Sequence, residues 1–278
     1  MRPSLFSQSL FALSLEDAIE TTARIGFEAI ELACVDPHFG LGMARREPDK
    51  VAGRITRAGL DVSALSLFNT FTDPAVLGEQ IKSAETFIGL APAFDTQIIK
   101  MTPGPPASAA ATAVHWGCLA EAVERLVAVA RDVGVRIGFE THMRQVTDTL
   151  ASSQRLLDIA PADVVGLTVD FSNLSFAGER MDQVIGAVAD RLVHTHLKNG
   201  TIDASGGWHF DALDRGLTDY AQVLRMLHET GYDGYLSIEC LGADAGERPA
   251  ETARRDLAIL RRYLQAIESP GRREVHGE

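Results

Sequence analysis

Positive charge is scarce in this chain. Its 278 residues carry 26 Lys and Arg against 38 Asp and Glu, a formal net charge of -12. A protein that wraps nucleic acid needs a basic surface to meet the phosphates, so that role is not expected. Cysteine is also rare. Cys34, Cys118 and Cys240 are odd in number, widely spaced and form no CxxC pair. This pattern gives no disulfide framework and points to a reduced, cytoplasmic protein. No apolar run approaches the about 20 residues that a membrane helix needs. No Gly-rich phosphate cradle is present, which favours a free sugar or polyol ketone over a phosphorylated one. The start, Leu5 to Phe11, is only mildly apolar and is broken by polar residues. It reads as a first strand and not as a signal peptide.

What the chain does have is alternation. Short apolar runs at 5–11, 29–34, 61–68, 96–101, 136–142, 165–171, 192–198 and 235–240 read as strands. Amphipathic stretches at 15–25, 48–58, 75–90, 115–133, 148–159, 180–189, 218–230 and 248–267 read as helices between them. Ser14, with Asp17 three residues on, predicts a helix start; Gly26, Gly59, Gly134 and Gly231 each follow a helical run where a C-terminal cap is expected. Eight strands, each followed by a helix, predict a parallel sheet closed as a single (β/α)8 TIM barrel, for which about 250 residues are typical. The hydrophobic fraction of 46% is ample for its core. We expect the barrel to occupy residues 1–268 and residues 269–278 to form a flexible tail. Two loops are long for such a unit: Thr102 to Ala113 after strand four, and Asn199 to Gly216 after strand seven. Both lie on the face where barrel active sites are built, and either would serve as a lid.

Four metal-seeking side chains stand at the ends of the last four strands. They are Glu140 in Arg136-Ile137-Gly138-Phe139-Glu140, Asp170 in Gly166-Leu167-Thr168-Val169-Asp170, His196 in Leu192-Val193-His194-Thr195-His196, and Glu239 in Tyr235-Leu236-Ser237-Ile238-Glu239. A strand alternates its side chains between two faces. With these four inward, Ile137, Phe139, Leu167, Val169, Val193, Leu197, Leu236 and Ile238 all turn outward, so the strands agree on one parity. Three carboxylates and one imidazole make an oxygen-rich site that suits Mn²⁺, with Mg²⁺ or Co²⁺ as substitutes. His194 shares the inward parity one layer deeper, as a core histidine or a support for the ligands. Lys198 lies one layer higher, at the rim, either to hold a substrate oxygen or as a solvated lysine.

These residues also carry a family likeness. Ile25-Gly26-Phe27-Glu28-Ala29-Ile30-Glu31-Leu32, Gly138-Phe139-Glu140-Thr141-His142, Asp170-Phe171-Ser172-Asn173, His194-Thr195-His196-Leu197-Lys198-Asn199 and Gly231-Tyr232-Asp233-Gly234-Tyr235-Leu236-Ser237-Ile238-Glu239 resemble the xylose isomerase-like TIM barrels. That group includes sugar isomerases and epimerases, inosose dehydratases and apurinic endonucleases. The resemblance runs from Phe6 to about Ile267. It implies that Glu140, Asp170, His196 and Glu239 are the metal ligands, and that Glu140 and Glu239 also move protons in the epimerase branch. It also allows homo-oligomers or a second protein subunit. Many relatives have histidine where this chain has Asn173. Asparagine bonds a substrate hydroxyl but is no base, which speaks against a standard epimerase or a multi-zinc nuclease.

A metal chelating a carbonyl and its neighbouring hydroxyl acidifies the adjacent C–H and stabilises an enediolate. Proton return then gives epimerisation or isomerisation; loss of a β-substituent gives elimination. The leading expectation is a sugar isomerase or epimerase acting on a ketose or related keto-sugar. The alternative is a lyase, either a keto-inositol dehydratase or a keto-glycoside eliminase. An apurinic endonuclease and a non-catalytic accessory subunit rank below these. Glu140, Glu239 and His142 are the candidates for proton transfer. His209 either reaches the substrate as its loop closes or stays on the surface, and Trp208 beside it either stacks on a sugar or anchors the loop. Glu31 and Lys100, inward on strands two and four, either bind substrate or close a salt bridge. His38 reads as an exposed loop residue near the same rim.

Overall fold

The computed structural model describes residues 1–268. The expected tail, 269–278, lies outside the described residues. Eight parallel strands close on themselves: β1 (Arg2–Phe6), β2 (Ala29–Ala33), β3 (Asp61–Leu67), β4 (Ile98–Met101), β5 (Arg136–Glu140), β6 (Val165–Asp170), β7 (Leu192–Leu197) and, at the end of the circuit, β10 (Tyr235–Ile238). The antiparallel hairpin of β8 (Asn199–Ile202) and β9 (Trp208–Asp211) is inserted after β7. β10 pairs with both β7 and β1, so no barrel edge is left open. Helices pack around the outside, and the fold is the TIM barrel that the alternation predicts.

The outward residues of the site strands form the strand–helix core. Ile137, Phe139, Leu167, Val169, Leu197, Leu236 and Ile238 are each fully buried. Each such side chain contributes about 1.5–3 kcal/mol of apolar burial, which is what holds the strands in one register. The helix boundaries follow local chemistry. Ser14 Oγ accepts from Asp17 N at 3.1 Å and starts the helix Leu15–Ile25. Gly26 ends that helix in the left-handed region at φ 102°, a conformation that costs glycine nothing.

Two elements differ from the expectations. The first strand is Arg2–Phe6 and not 5–11; Ser7–Leu10 instead forms a 3-10 turn. The serines that interrupt this run explain the difference. Ser7 Oγ accepts from Ala33 N and Ser9 Oγ from Cys240 N, tying the turn to the tops of β2 and β10. The segment after β7 is an ordered hairpin, not a plain loop, with Ile202 paired to Trp208. Three short helices also escaped the periodicity, Leu41–Arg46, Phe171–Phe176 and Ala243–Glu247, each too short to show a repeat. All three cysteines are buried and free. Among the described residues, no helix is long and apolar enough to cross a membrane.

The β5–β6–β7 arc is tight because Gly138 pairs with Gly166. A Cβ on Gly166 would lie 2.1 Å from Arg191 O and 2.6 Å from Val193 Cγ2. Gly166→Ala is therefore expected to lower stability by about 1–3 kcal/mol through overpacking. Gly117, exposed in the helix Ala113–Val133, has nothing within 4 Å of its Cβ position. Gly117→Ala is expected to raise stability by about 0.5–1 kcal/mol. Paired denaturant titrations check both signs; equal effects would contradict this packing account.

Candidate metal centre

The parity of the last four barrel strands brings their polar ends together. Glu140 ends β5, Asp170 ends β6, His196 is the penultimate residue of β7, and Glu239 directly follows β10. The ladder continues to Glu239, whose N–H donates to Leu197 O at 2.9 Å. One ligand atom from each of Glu140, Asp170, His196 and Glu239 lies within 4.8 Å of the others. All four residues are buried. Asp170 also caps the helix Phe171–Phe176 by accepting from Asn173 N through Oδ1, which fixes its rotamer.

Glu31 on β2 orients His196. Its Oε1 and Oε2 lie 2.8 and 3.0 Å from His196 Nε2, while His196 Nδ1 faces Glu140 Oε1 at 3.2 Å. With carboxylates at both nitrogens the imidazolium is favoured here; a cation in the cluster would leave the proton on Nε2, beside Glu31, and turn the Nδ1 lone pair toward the ligands. This is the carboxylate–histidine arrangement that supports metal-binding imidazoles. Glu31 is itself clamped by His194 Nε2 at 2.9 Å and Ser237 Oγ at 2.5 Å. His194 thus supports Glu31 one layer below the cluster.

The charges identify what the centre suits. Four buried carboxylates, Glu31, Glu140, Asp170 and Glu239, face two buried ammonium groups, Lys100 and Lys198. With both imidazoles neutral, two negative charges remain, which is the charge of one divalent cation. The titration behaviour reflects the same excess. Burial raises the Asp170 carboxyl, with Glu239 and Glu140 adding to it against Lys198. Burial opposes the His196 imidazolium, but Glu31 and Glu140 outweigh it and push its pKa up to about 10. Burial also opposes the Glu140 carboxylate, yet Lys100 and His196 hold it well below the usual range. The donor set therefore fits a hard divalent ion, with Glu140, Asp170, His196 and Glu239 as the residues that would hold it.

Both lysines are engaged with these acids. Lys198 Nζ donates to Glu239 Oε2 at 2.7 Å and also lies 2.7 Å from Asp170 Oδ2, the latter a charge contact outside hydrogen-bond geometry. Tyr220 OH donates to Lys198 O and accepts from Lys198 N, pinning that backbone. Lys100 Nζ lies 2.6 Å from Glu140 Oε2. Glu140 thus has one oxygen on His196 and the other on Lys100.

The remaining candidates divide. His142 is half-buried just above Glu140, and its Nδ1 donates to Met143 O at 2.8 Å, which leaves Nε2 as the acceptor of the neutral ring. Asn173 is buried; its Nδ2 donates to Thr141 O while its Oδ1 lacks a hydrogen-bond partner. Trp208 is half-buried and stacks under the Arg144 guanidinium. His209 is not brought to the cluster. It alternates outward from Trp208 and bonds Asp203 at 2.7 Å, with its side chain 65% exposed. His38 corrects the exposed-loop reading: it is fully buried, edge-on to Phe11.

Sequence reasoning missed the aromatic walls. Phe6 packs on His196 at 5.1 Å between centroids, and Phe68 stacks on Phe6. Lys100 Nζ is 4.9 Å from the Phe68 ring centre, and Lys198 Nζ is 5.9 Å from that of Phe210. Phe68 is still 40% exposed, a large apolar face at the mouth. The only signal for Phe210 was its shared parity with Trp208 in β9.

Glu31→Gln removes the charge that fixes His196 while leaving the four candidate ligands in place. Mn²⁺ affinity, measured by calorimetry on chelator-stripped protein, is expected to fall by about 10–100-fold. An unchanged dissociation constant would count against this role for Glu31.

Comparison with known proteins identifies the family. The family model described as "Xylose isomerase-like TIM barrel" matches residues 19–263. The inosose dehydratase of Lacticaseibacillus casei is 28% identical over 166 residues, covering 55% of this chain and 54% of the relative. The match thus spans about half the length of that curated relative. Two solved structures share the fold. One is the probable 3-DHS dehydratase AsbF from Bacillus anthracis, with a TM-score of 0.80 and 20% identity over 94% of this chain and 99% of that one. The other is L-ribulose 3-epimerase, with a TM-score of 0.77 and 19% identity over 100% and 99% of the respective chains. The family match covers most of the chain and all but the first strand of the barrel, and on that ground the chain belongs to the xylose isomerase-like TIM barrel family.

Proposed function

We propose that this protein is a divalent-metal-dependent lyase that dehydrates a keto-polyol, a keto-inositol being the first candidate. The observation that carries this reading is the occupation of both Glu140 oxygens, one by His196 and one by Lys100. Epimerisation across two faces uses two groups that alternate their protonation. Glu140, with one oxygen turned to the ligand cluster and the other held by Lys100, is poorly placed to be one of them. His142 Nε2, free on the same side of the mouth, is the better base. The similarity to an inosose dehydratase supports the same outcome.

Glu140, Asp170, His196 and Glu239 would hold Mn²⁺, or Mg²⁺ or Co²⁺ in its place. When bound, such an ion polarises a carbonyl and acidifies the adjacent C–H. The residues of the chain supply the rest. Lys198 donates one hydrogen bond to Glu239, lies in charge contact with Asp170, and has donor capacity left for a substrate oxygen. Phe6 and Phe68 shield one side of the mouth from water. His142 Nε2 takes the proton beside the carbonyl. It then returns that proton to the departing β-hydroxyl, so a C–H and a C–O bond break, a C=C bond forms and water leaves.

Isomerisation is the second reading. The same base can return its proton to the neighbouring carbon on the same face while the hydroxyl proton passes to the former carbonyl oxygen, which turns a ketose into an aldose without loss of water. A solved structure that shares the fold is named L-ribulose 3-epimerase, an activity that likewise retains every hydroxyl. Neither reading requires nucleic acid.

A panel of keto-inositols and ketoses, followed by NMR in D₂O, separates the two. Chelation is expected to abolish turnover and Mn²⁺ to restore it, with a product that has lost one water. His142→Ala is expected to lower kcat by about 10²–10⁴-fold with Mn²⁺ stoichiometry unchanged. Deuterium uptake with every hydroxyl retained would replace dehydration by isomerisation. Undiminished turnover by metal-free protein would defeat both.

A further inference from the structure

Above the metal centre, two loops from non-adjacent strands meet. Arg144, in the segment after β5, lays its guanidinium 4.1 Å from the centre of the Trp208 ring, at the start of β9. β6 lies between β5 and β7 in the barrel, so this contact spans the mouth over the end of β6. The hairpin turns one face inward: Phe210, on the same side of β9 as Trp208, sits against Phe176 and above Lys198. Arg144 thus follows His142 by two residues, and its partner Trp208 shares a face of β9 with Phe210, the ring that neighbours Lys198.

Arg144 is exposed, but its backbone and its partner set it apart from the other surface arginines. Its backbone is in the left-handed region at φ 63°, which among the described residues only one other non-glycine residue, Asp95, shares. Side chains rarely sit there unless the surroundings hold them. Its described partner is a ring face and not a carboxylate, whereas Arg125, Arg131, Arg180 and Arg248 each pair with a surface acid. Stacking on a ring face also leaves the edge of the guanidinium, where the five N–H donors lie, free of Trp208. A preset planar fork without an acid is built to receive one. Arg155 stacks on Trp116 in a similar way. It does so from within the helix Leu150–Asp158, without the positive φ of Arg144.

We propose that Arg144, held by Trp208, is a specificity-determining residue that binds a carboxylate on the substrate, at the end remote from the metal-binding carboxylates. This deepens the proposed function and rests on it: the natural substrate would be a keto-polyol acid, not a neutral sugar. A carboxylate matches the single planar fork in two parallel hydrogen bonds. A phosphoryl group would call for more donors, and the chain has no Gly-rich loop to supply them.

The test uses the Mn²⁺-loaded protein in a Trp116→Phe background, so that Trp208 is the only tryptophan and reports ligand binding by its emission. The probes are a cyclic hydroxyketone polyol, its ring-carboxylated counterpart and its phosphorylated counterpart. The carboxylated probe is expected to bind about tenfold or more tighter than the neutral one, the scale of one charge-assisted pair. Arg144→Gln is expected to erase that difference and leave the neutral probe within about twofold; Arg144→Lys is expected to restore part of it. Equal binding of neutral and carboxylated probes by the parent protein overturns the proposal, as does a preference for the phosphorylated probe. An equal loss for both probes in Arg144→Gln overturns it too. Binding is read without turnover, so a failure of the dehydration reading shows separately, as tight carboxylate binding with no reaction.

Discussion

Four carboxylates taken out of water into a barrel mouth must be neutralised, and most features of this protein follow from that requirement. An unpaired charge in a low-dielectric interior is far too costly to persist. Lys100 and Lys198 compensate two of the four. The two left over draw His196 toward its charged form and Asp170 toward its neutral one. A divalent cation resolves both tensions at once, because it lets the imidazole lose its proton and Asp170 keep its charge. The same four acids would therefore govern metal affinity, the protonation of the ligands and the position of both lysines.

The scaffold makes that concentration of charge tolerable. Glu140, Asp170 and Glu239 stand at or just past the ends of strands whose alternate residues are buried against helices, so their places are set by apolar packing and not by electrostatics. Gly138 and Gly166 let neighbouring strands approach closely. Below the ligands, Glu31, His194 and Ser237 form a layer in which Glu31 receives hydrogens from both histidines and the serine. The chemistry above can then vary with the loops. His142 and Arg144 come from the segment after β5, and Trp208 and Phe210 from the hairpin after β7, so the proposed base and part of the mouth's wall belong to the variable part of the fold.

The fold was legible because it depends on local pattern. Apolar alternation, helical spacing and the glycine caps each reflect neighbours along the chain. The inward parity of Glu140, Asp170, His196 and Glu239 was legible for the same reason. Glu31 and Lys100 were recognised as inward but left between substrate binding and a salt bridge. Their partners, His196 and Glu140, lie on distant strands, and only closure of the barrel pairs them. The first strand was misplaced because Ser7 and Ser9 bond across to β2 and β10. His38 was taken for exposed because nothing in Asp36-Pro37-His38 announces the Phe11 ring that covers it. Trp208 and His209 were treated alike, although their adjacency in β9 sends them to opposite faces.

Sequence alone determined the closed eight-stranded barrel and the four side chains that share one rim, because strand periodicity ties each residue's face to its position in the chain. Only the tertiary structure decided which acids are already occupied by lysines, which nitrogen of His196 is turned toward the cluster, and which aromatic rings wall the mouth. Those are relations between residues up to 206 positions apart, as Glu31 and Ser237 are. No local pattern encodes them; they arise when the last strand pairs with the first.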